Sequence, residues 1–146
     1  MRLPKYITGI TNSLISLEKM DGSLFLKLGY EITRRLNGEV INYFPPSYPL
    51  NYFRLVIKIG EETTSILLHE YFPYVSFANY ENMLQIQFLD HEDLLNEWKP
   101  YYTVLETTFL NKPFNNNEHD LSKIELKNEK YWGQNSIGEV IFNCWD

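Results

Sequence analysis

Three histidines and one cysteine are the side chains of this sequence best suited to metal binding or catalysis. His69-Glu70 begins the H-E-x-x-H pattern of zinc-binding helices, but Pro73 occupies the position of the second histidine. Cys144 falls on an apolar helical face, which favours a buried and unreactive thiol, and His119 lies in a polar loop. The G-x-S-x-G motif of serine nucleophiles and the glycine-rich loops that bind nucleotides do not occur. We therefore expect no catalytic residue, no metal ion and no cofactor.

The third histidine, His91, stands within a short acidic cluster. Its neighbours Asp90, Glu92 and Asp93 could hold a hard cation. An EF-hand loop, however, needs ligands at spaced positions and a central glycine, and both are missing. The pattern favours the start of a helix, where the helix dipole stabilises carboxylates.

The acidic residues are concentrated in one part of the chain. Residues 59–98 have no lysine or arginine and eight acids, a formal charge of −8, whereas the other residues, with 13 cations and 11 acids, sum to +2. Such a stretch attracts a basic partner and repels nucleic acid and anionic membranes. With a sequence pI of about 5.1, we expect a basic protein partner and neither nucleic acid nor membrane.

Tyrosines lie among these acids. One interpretation places the phenylalanines in the core and the tyrosines on the outer surface of a sheet. The other is a docking surface, because tyrosine is enriched at interfaces and surrounding acids steer a basic partner. The predicted partner-binding residues are Glu61, Glu62, Glu70, Tyr71, Tyr74, Tyr80, Glu81, Glu92, Asp93 and Glu97.

The elements that would position these residues follow from periodicity. Apolar residues from Leu14 to Leu36 recur at three- and four-residue spacing, which predicts an N-terminal helix ending at Asn37-Gly38. Asp21-Gly22 could break it into two helices, with Asp21 or Ser23 capping the second, or could be tolerated inside it. Alternating or β-rich segments then predict strands at 39–44, 54–59, 63–71, 74–78 and 83–89, with a turn at 79–82.

The remaining third of the chain is predicted to be mainly helical. Asp90 opens a helix over 91–109, and Pro100 should kink it or divide it into two short helices. Residues 111–120 form a polar loop, and 121–131 could be a short edge strand. Ser136 and Glu139 fit a capping box, after which residues from Ile137 to Trp145 form one apolar helical face. This segment should be docked, with Trp145 in or near the core.

These elements together predict one α+β domain over residues 1–146. Its antiparallel sheet of about five strands would be flanked by the N-terminal helix, the 91–109 helix and the short C-terminal helix. A single cysteine, the absence of a continuous apolar segment in MRLPKYITGITN and the absence of a membrane-spanning window favour the cytoplasm.

The order of these elements and the chain's acidic character resemble the immunity proteins of bacterial polymorphic toxin systems. The end of the chain, Tyr131-Trp132 and then GEVIFNCWD over 138–146, is similar to the C-terminus of Bacillus antitoxins that are paired with LXG toxins. The resemblance implies a protein that binds and occludes a cognate toxin domain, often a nuclease. Such toxins are commonly basic because they bind nucleic acid, and the stretch from Glu61 to Glu97 would meet one.

Three other functions remain open. A binding module or an enzyme could hold a small ligand in a pocket between sheet and helix, lined by His91, Trp98, Tyr101 and Tyr102. A pair of carboxylates could also hydrolyse a glycoside, because their separation cannot be inferred from sequence. A self-associating structural protein would use the many tyrosines as its contact surface.

Overall fold

A computed structural model describes residues 1–12, 14–115, 117–133 and 135–145. The fold is α+β, as predicted, with five antiparallel strands in one sheet and helices at the N-terminal side, after the sheet and near the C-terminus. The elements in chain order are α1 (Gly22–Arg35), β1 (Glu39–Phe44), β2 (Tyr52–Ile59), β3 (Glu62–His69), β4 (Tyr74–Asn82), β5 (Gln85–Leu89), α2 (Glu92–Trp98), β6 (Thr103–Val104), α3 (Thr107–Leu110), α4 (Lys123–Trp132) and α5 (Ile137–Ile141). No helix in the described ranges is long and apolar enough to cross a membrane.

The strands form a meander in the order β1-β2-β3-β4-β5. Two-residue β6 pairs in parallel with the start of β4, through Tyr74–Thr103 and Val75–Val104. Because neighbouring strands run in opposite directions, the β2–β3 and β4–β5 turns lie at the same end of the sheet. That end carries several of the predicted binding residues.

Each face of the sheet is covered by its own apolar cluster. On one face, α1 and α2 pack against the inward side chains of β2, β3 and β4, including Leu55, Ile66 and Phe77. On the other face, the N-terminal segment and α5 pack against Tyr52, Leu67 and other residues of the sheet. The alternation of side chains along a strand explains why consecutive residues of β3 are buried on both sides.

The N-terminal helix is shorter than the periodicity predicted. Helix α1 begins at Gly22, and the Asp21 side chain accepts a hydrogen bond from the Leu24 amide. This agrees with the alternative in which Asp21 caps a helix that starts after the Asp21-Gly22 break. The preceding residues 14–21 are not helical, and Leu14 is 90% exposed. A helix over residues 14–21 would be only about two turns long, and a helix of that length is marginal without an apolar surface to pack against. The apolar spacing of these residues was therefore not enough to make them helical.

Other segments also differ from their predictions. The turn expected at 79–82 is wrong, because β4 continues through Asn82 and the chain reverses at Met83-Leu84. The 91–109 helix is divided at Pro100 as one alternative stated, but β6 lies between its two parts. Residues 121–131 are helical and not an edge strand: α4 begins at a capping box formed by Ser122 and Glu125.

The C-terminal prediction is confirmed. Ser136 and Glu139 form the capping box of α5, and Trp145 is only 6% exposed. The helix itself ends at Ile141, so the last apolar residues are buried without continuing the helix. Gly138 allows α5 to approach the sheet closely, since a Cβ there would collide with the ring of Phe88.

A buried hydrogen-bond network, here called the polar seam, joins both chain ends to the sheet. It consists of Asn51, His69 and Asn143 with the backbone groups that they contact. Asn51 donates to the carbonyls of Thr8 (3.1 Å) and Ile141 (2.8 Å), and it accepts from the Asn143 amide at 2.8 Å. Buried polar groups are stabilising only when they are paired, as these are. The polar seam therefore fixes the C-terminal segment against the N-terminal one.

A second buried polar group, Glu125, anchors the N-terminal segment to α4. Its carboxylate is inaccessible to solvent and accepts from the amides of Tyr6 (2.7 Å), Thr8 (3.0 Å) and Ser122 (2.9 Å), and from the Thr8 hydroxyl (2.6 Å). Four donors and the N-terminus of α4 compensate the negative charge without a cation. Its role is therefore structural.

Candidate partner-binding site

Three of the predicted binding residues lie together at one end of the sheet. Glu61 and Glu62 form the β2–β3 turn and the start of β3, and Glu81 lies near the end of β4. The β3–β4 ladder runs from Leu68–Val75 to Ser65–Ala78, and Glu62 and Glu81 each lie three residues beyond its last pair, at the same end of the sheet. All three side chains are exposed. We call Glu61, Glu62 and Glu81 the acidic end.

Glu70 and Tyr71 lie at the opposite end of β3. Eight residues separate Glu62 from Glu70, which corresponds to about 26 Å along a strand. The Glu70 side chain is 12% exposed and faces the Lys19 ammonium at 3.9 Å. Burial and a hydrogen bond to Glu70 raise the pKa of Tyr71 to about 12. These two side chains are thus engaged within the fold and are distant from the acidic end.

The other two tyrosines of the predicted site contribute to the apolar cluster on one face. The Tyr74 ring stacks on Phe72 with 5.8 Å between centroids, and burial raises the pKa of its hydroxyl. Tyr80 shares a 2.9 Å hydrogen bond with Tyr52, and the Arg54 guanidinium lies 4.0 Å from its ring centre. Both rings are half-buried, so they have structural contacts that the sequence did not reveal.

The acids of helix α2 form a third group, on the face of the sheet that α1 and α2 cover. Glu92 and Asp93 are exposed in the first turn of the helix. Glu97 accepts from the guanidinium of Arg35 at 2.8 Å, and this contact raises the pKa of Arg35. The structure therefore divides the ten predicted residues among two ends and two faces, and their role in binding stays a prediction.

A groove that the sequence did not indicate opens beside the acidic end. It has a volume of about 530 Å³ and lies between the β4–β5 turn and the segment from α4 to the C-terminus. Met83, Leu84 and Trp132 are 48%, 72% and 38% exposed at its margin. We call it the hairpin groove. The sequence predicts Met83 and Leu84 as part of a strand. The two residues instead form a turn, and two large apolar side chains there are the signal that could have identified the groove.

The small-ligand pocket predicted between sheet and helix differs in its lining. Trp98 and Tyr102 are buried in the core, where their rings lie 5.3 and 6.1 Å from Phe25, and Tyr101 is exposed. Only His91 of the four predicted residues borders the cavity of about 200 Å³ on that side, which Phe77, Asp90, Glu92, Leu95, Val104, Leu105 and Glu106 also line.

The histidines have structural contacts. His91 caps α2, since its Nδ1 accepts from the Leu94 amide at 3.1 Å. His69 is fully buried, and its Nδ1 accepts from the amides of Tyr71 and Phe72, so Nε2 carries the proton and donates to the Ile7 carbonyl. Burial lowers the pKa of His69 to about 4, although the bond to Ile7 opposes the shift.

The remaining candidates for chemistry are metal ligands and the cysteine nucleophile. The described ranges contain no group of three or more His, Cys, Asp or Glu side chains that could hold a metal ion. His119 accepts from the Leu121 amide at 3.1 Å and stacks on Phe114, and Cys144 is buried. Among the described residues, the features that could bind another molecule are therefore the exposed carboxylates, the hairpin groove and the smaller cavity beside His91.

Comparisons with known proteins give no further guidance. No protein-family model, no curated protein and no solved structure matches this chain. Function must therefore be inferred from the placement of its own side chains.

Proposed function

We propose that this chain is a cytoplasmic immunity protein that binds a basic toxin domain and blocks it by occlusion. One observation carries the proposal. Glu61, Glu62, Glu81, Glu92 and Asp93 are exposed, and none of them forms an ion pair with another described residue. The excess negative charge of residues 59–98 is thus largely available to a partner.

The acidic end is the better candidate for the contact with that partner. Its three carboxylates project from neighbouring strands beside exposed apolar residues of the β4–β5 turn. Interfaces combine a desolvated apolar centre with a polar margin, and the acidic end offers both. In α2, by contrast, Glu97 is already paired with Arg35. Charges at the interface margin mainly accelerate association and select against acidic partners.

Growth rescue tests the proposal. The C-terminal domain encoded by the reading frame beside this chain's gene would be expressed in bacteria alone and together with this chain. We expect the domain to arrest growth, this chain to restore it, and the triple variant Glu61→Lys, Glu62→Lys, Glu81→Lys to restore it poorly. A matched control reverses Glu18, Glu118 and Glu106, which are exposed elsewhere. A domain without toxicity, or toxicity that this chain does not relieve, would contradict the proposal.

The second candidate is a small-ligand-binding protein, favoured by the 200 Å³ cavity whose apolar lining meets His91 and three carboxylates. Its occupant would be a small cation with an apolar body. A panel of aromatic and aliphatic amines in a thermal-shift assay tests this alternative. Stabilisation that His91→Ala or Glu106→Gln removes would support it, and no stabilisation by any amine would exclude it.

A further inference from the structure

We infer that the hairpin groove is an anchor site for a basic amphipathic segment of a protein partner. The inference deepens the proposed function, on which the partner's identity as a toxin rests, but the groove itself can be tested separately. The basic amphipathic segment would be the part of the partner that is desolvated in the complex.

The floor of the groove is rigid. It is built from Phe88, Phe142 and Trp145, which are each less than 10% exposed. The rings of Phe88 and Phe142 lie 5.9 Å apart, and Gly138 brings α5 against Phe88. The polar seam holds the other side, because Asn143 accepts from the Trp145 amide at 3.1 Å. A groove that exists before binding requires little conformational entropy from the protein when a partner enters.

The margin of the groove combines exposed apolar side chains with polar ones such as Asn111 and Glu139. Leu84 and Met83 extend from the β4–β5 turn on one side, and Trp132 ends α4 on the other. Large apolar side chains that surround a concavity differ from the isolated exposed hydrophobic residues that every protein has. Tryptophan is enriched among the few residues that carry most of the binding energy of an interface.

The charges around the groove determine which partner it suits. Among the described residues that line it, Glu139 is the one charged residue, and lysine and arginine are absent from that described lining. The acidic end lies at the same end of the sheet as the β4–β5 turn. An acidic occupant would be repelled, whereas a segment with leucine or aromatic residues on one face and lysine or arginine on the other is complementary.

Isotope-labelled protein and a synthetic probe test this inference. The probe is a helix-forming peptide of leucine, tryptophan and lysine with its apolar residues on one face. Two control peptides have the same composition in scrambled order, or glutamate in place of lysine. We expect the probe alone to shift the backbone resonances of Met83, Leu84 and α5 and the indole resonance of Trp132. Shifts that map elsewhere, or equal shifts with all three peptides, would overturn the inference.

A matched pair of variants sharpens the test. Leu84→Ser changes a side chain that is 72% exposed in the groove, and Leu14→Ser changes one that is 90% exposed outside it, so both variants should fold. Leu84→Ser should weaken probe binding by about tenfold or more, and Leu14→Ser should leave it unchanged. Equal affinity of both variants would contradict the inference.

Probe binding and relief of toxicity can fail independently, so the two experiments distinguish binding in the hairpin groove from the proposed immunity function. If the probe occupies the groove but this chain fails to relieve toxicity, the groove stands and the immunity function falls. If toxicity is relieved equally by the native chain and by Leu84→Ser, the function stands and the groove is not the anchor site. A concentration-dependent dimer that Leu84→Ser abolishes in sedimentation would overturn the inference and assign the groove to a second copy of this chain.

Discussion

The acidic end and the polar seam are both polar regions set beside aromatic side chains, but they differ in whether their polar groups find hydrogen-bond or ion-pair partners within the chain. Asn51, His69 and Asn143 are buried, and their bonds go to groups of the same chain. Glu61 and Glu62 are exposed and have no ion-pair partner among the described residues. Internally satisfied groups stabilise the fold, whereas exposed, unpaired charges are free to interact with another molecule. Composition alone does not distinguish the two.

Removal of the C-terminal segment, which the polar seam holds in place, should have the largest effect. Deleting residues 136–146 exposes the surface that Ile137, Val140, Ile141 and Trp145 cover, and each contributes on the order of 1.5–3 kcal/mol when buried. Because total stability is roughly 5–15 kcal/mol, we expect an unfolded or aggregated product. Circular dichroism and thermal melting measure this, and a cooperatively folded truncation with a near-native melting temperature would contradict it.

Loss of the buried carboxylate should have the next largest effect. Glu125→Ala leaves the amides of Tyr6, Thr8 and Ser122 without their acceptor, and we expect a loss of at least about 3 kcal/mol in the free energy of unfolding. Glu118→Ala, at an exposed glutamate in the same region, is the control and should change stability by less than about 0.5 kcal/mol. Similar denaturation midpoints for the two variants would show that the four bonds are not stabilising.

The buried histidine predicts a specific dependence on pH. The pKa of His69 is about 4 in the folded chain, below its ordinary value of 6.5, so unfolding takes up a proton between these values. Stability should therefore decrease as the pH falls through this window, by about 3 kcal/mol between pH 7 and pH 4. Urea denaturation of native protein and His69→Gln at several pH values measures it. A variant with the same slope as the native protein would assign the effect to other groups.

The capping boxes should give the smallest effects on stability. Ser136→Ala and Ser122→Ala each remove an acceptor from a helix start, at a cost of about 1 kcal/mol. Reversing the charges of the acidic end should change stability less than either substitution does. If a charge reversal destabilised the fold more than a lost cap, the acidic end would be structural and the comparison would fail.

The sequence predicted those elements whose signals are local. The strands, the β2–β3 turn and helix α5 follow from alternation, a Gly-Glu-Glu turn and a capping box, all within a few residues. Helix α4 was missed although Ser122 and Glu125 show the same capping pattern as Ser136 and Glu139. The residues before Asp21 were predicted as helix because an apolar stripe is visible in sequence, but the surface that it would need is not.

The candidate site was less accessible to prediction than the fold. The excess of carboxylates was evident, but the direction of each strand decides which of them share an end. Glu62 begins β3 and Glu70 directly follows its last residue, so the two glutamates lie at opposite ends of one strand. The hairpin groove forms where residues 83–88 lie near Trp132 and residues 135–145, and the apolar pair Met83 and Leu84 is only a local sign of it.

The association rate constant of this chain with the C-terminal domain of the neighbouring reading frame, which we propose to be its toxin partner, tests the central claim most directly. Stopped-flow measurements would compare the native chain with the Glu61→Lys, Glu62→Lys, Glu81→Lys variant from low to high ionic strength. We predict fast association of the native chain that slows steeply with added salt, and slower association of the variant with a weak dependence on salt. Equal rates and equal salt dependence for the two proteins would contradict the claim that the acidic end meets the partner.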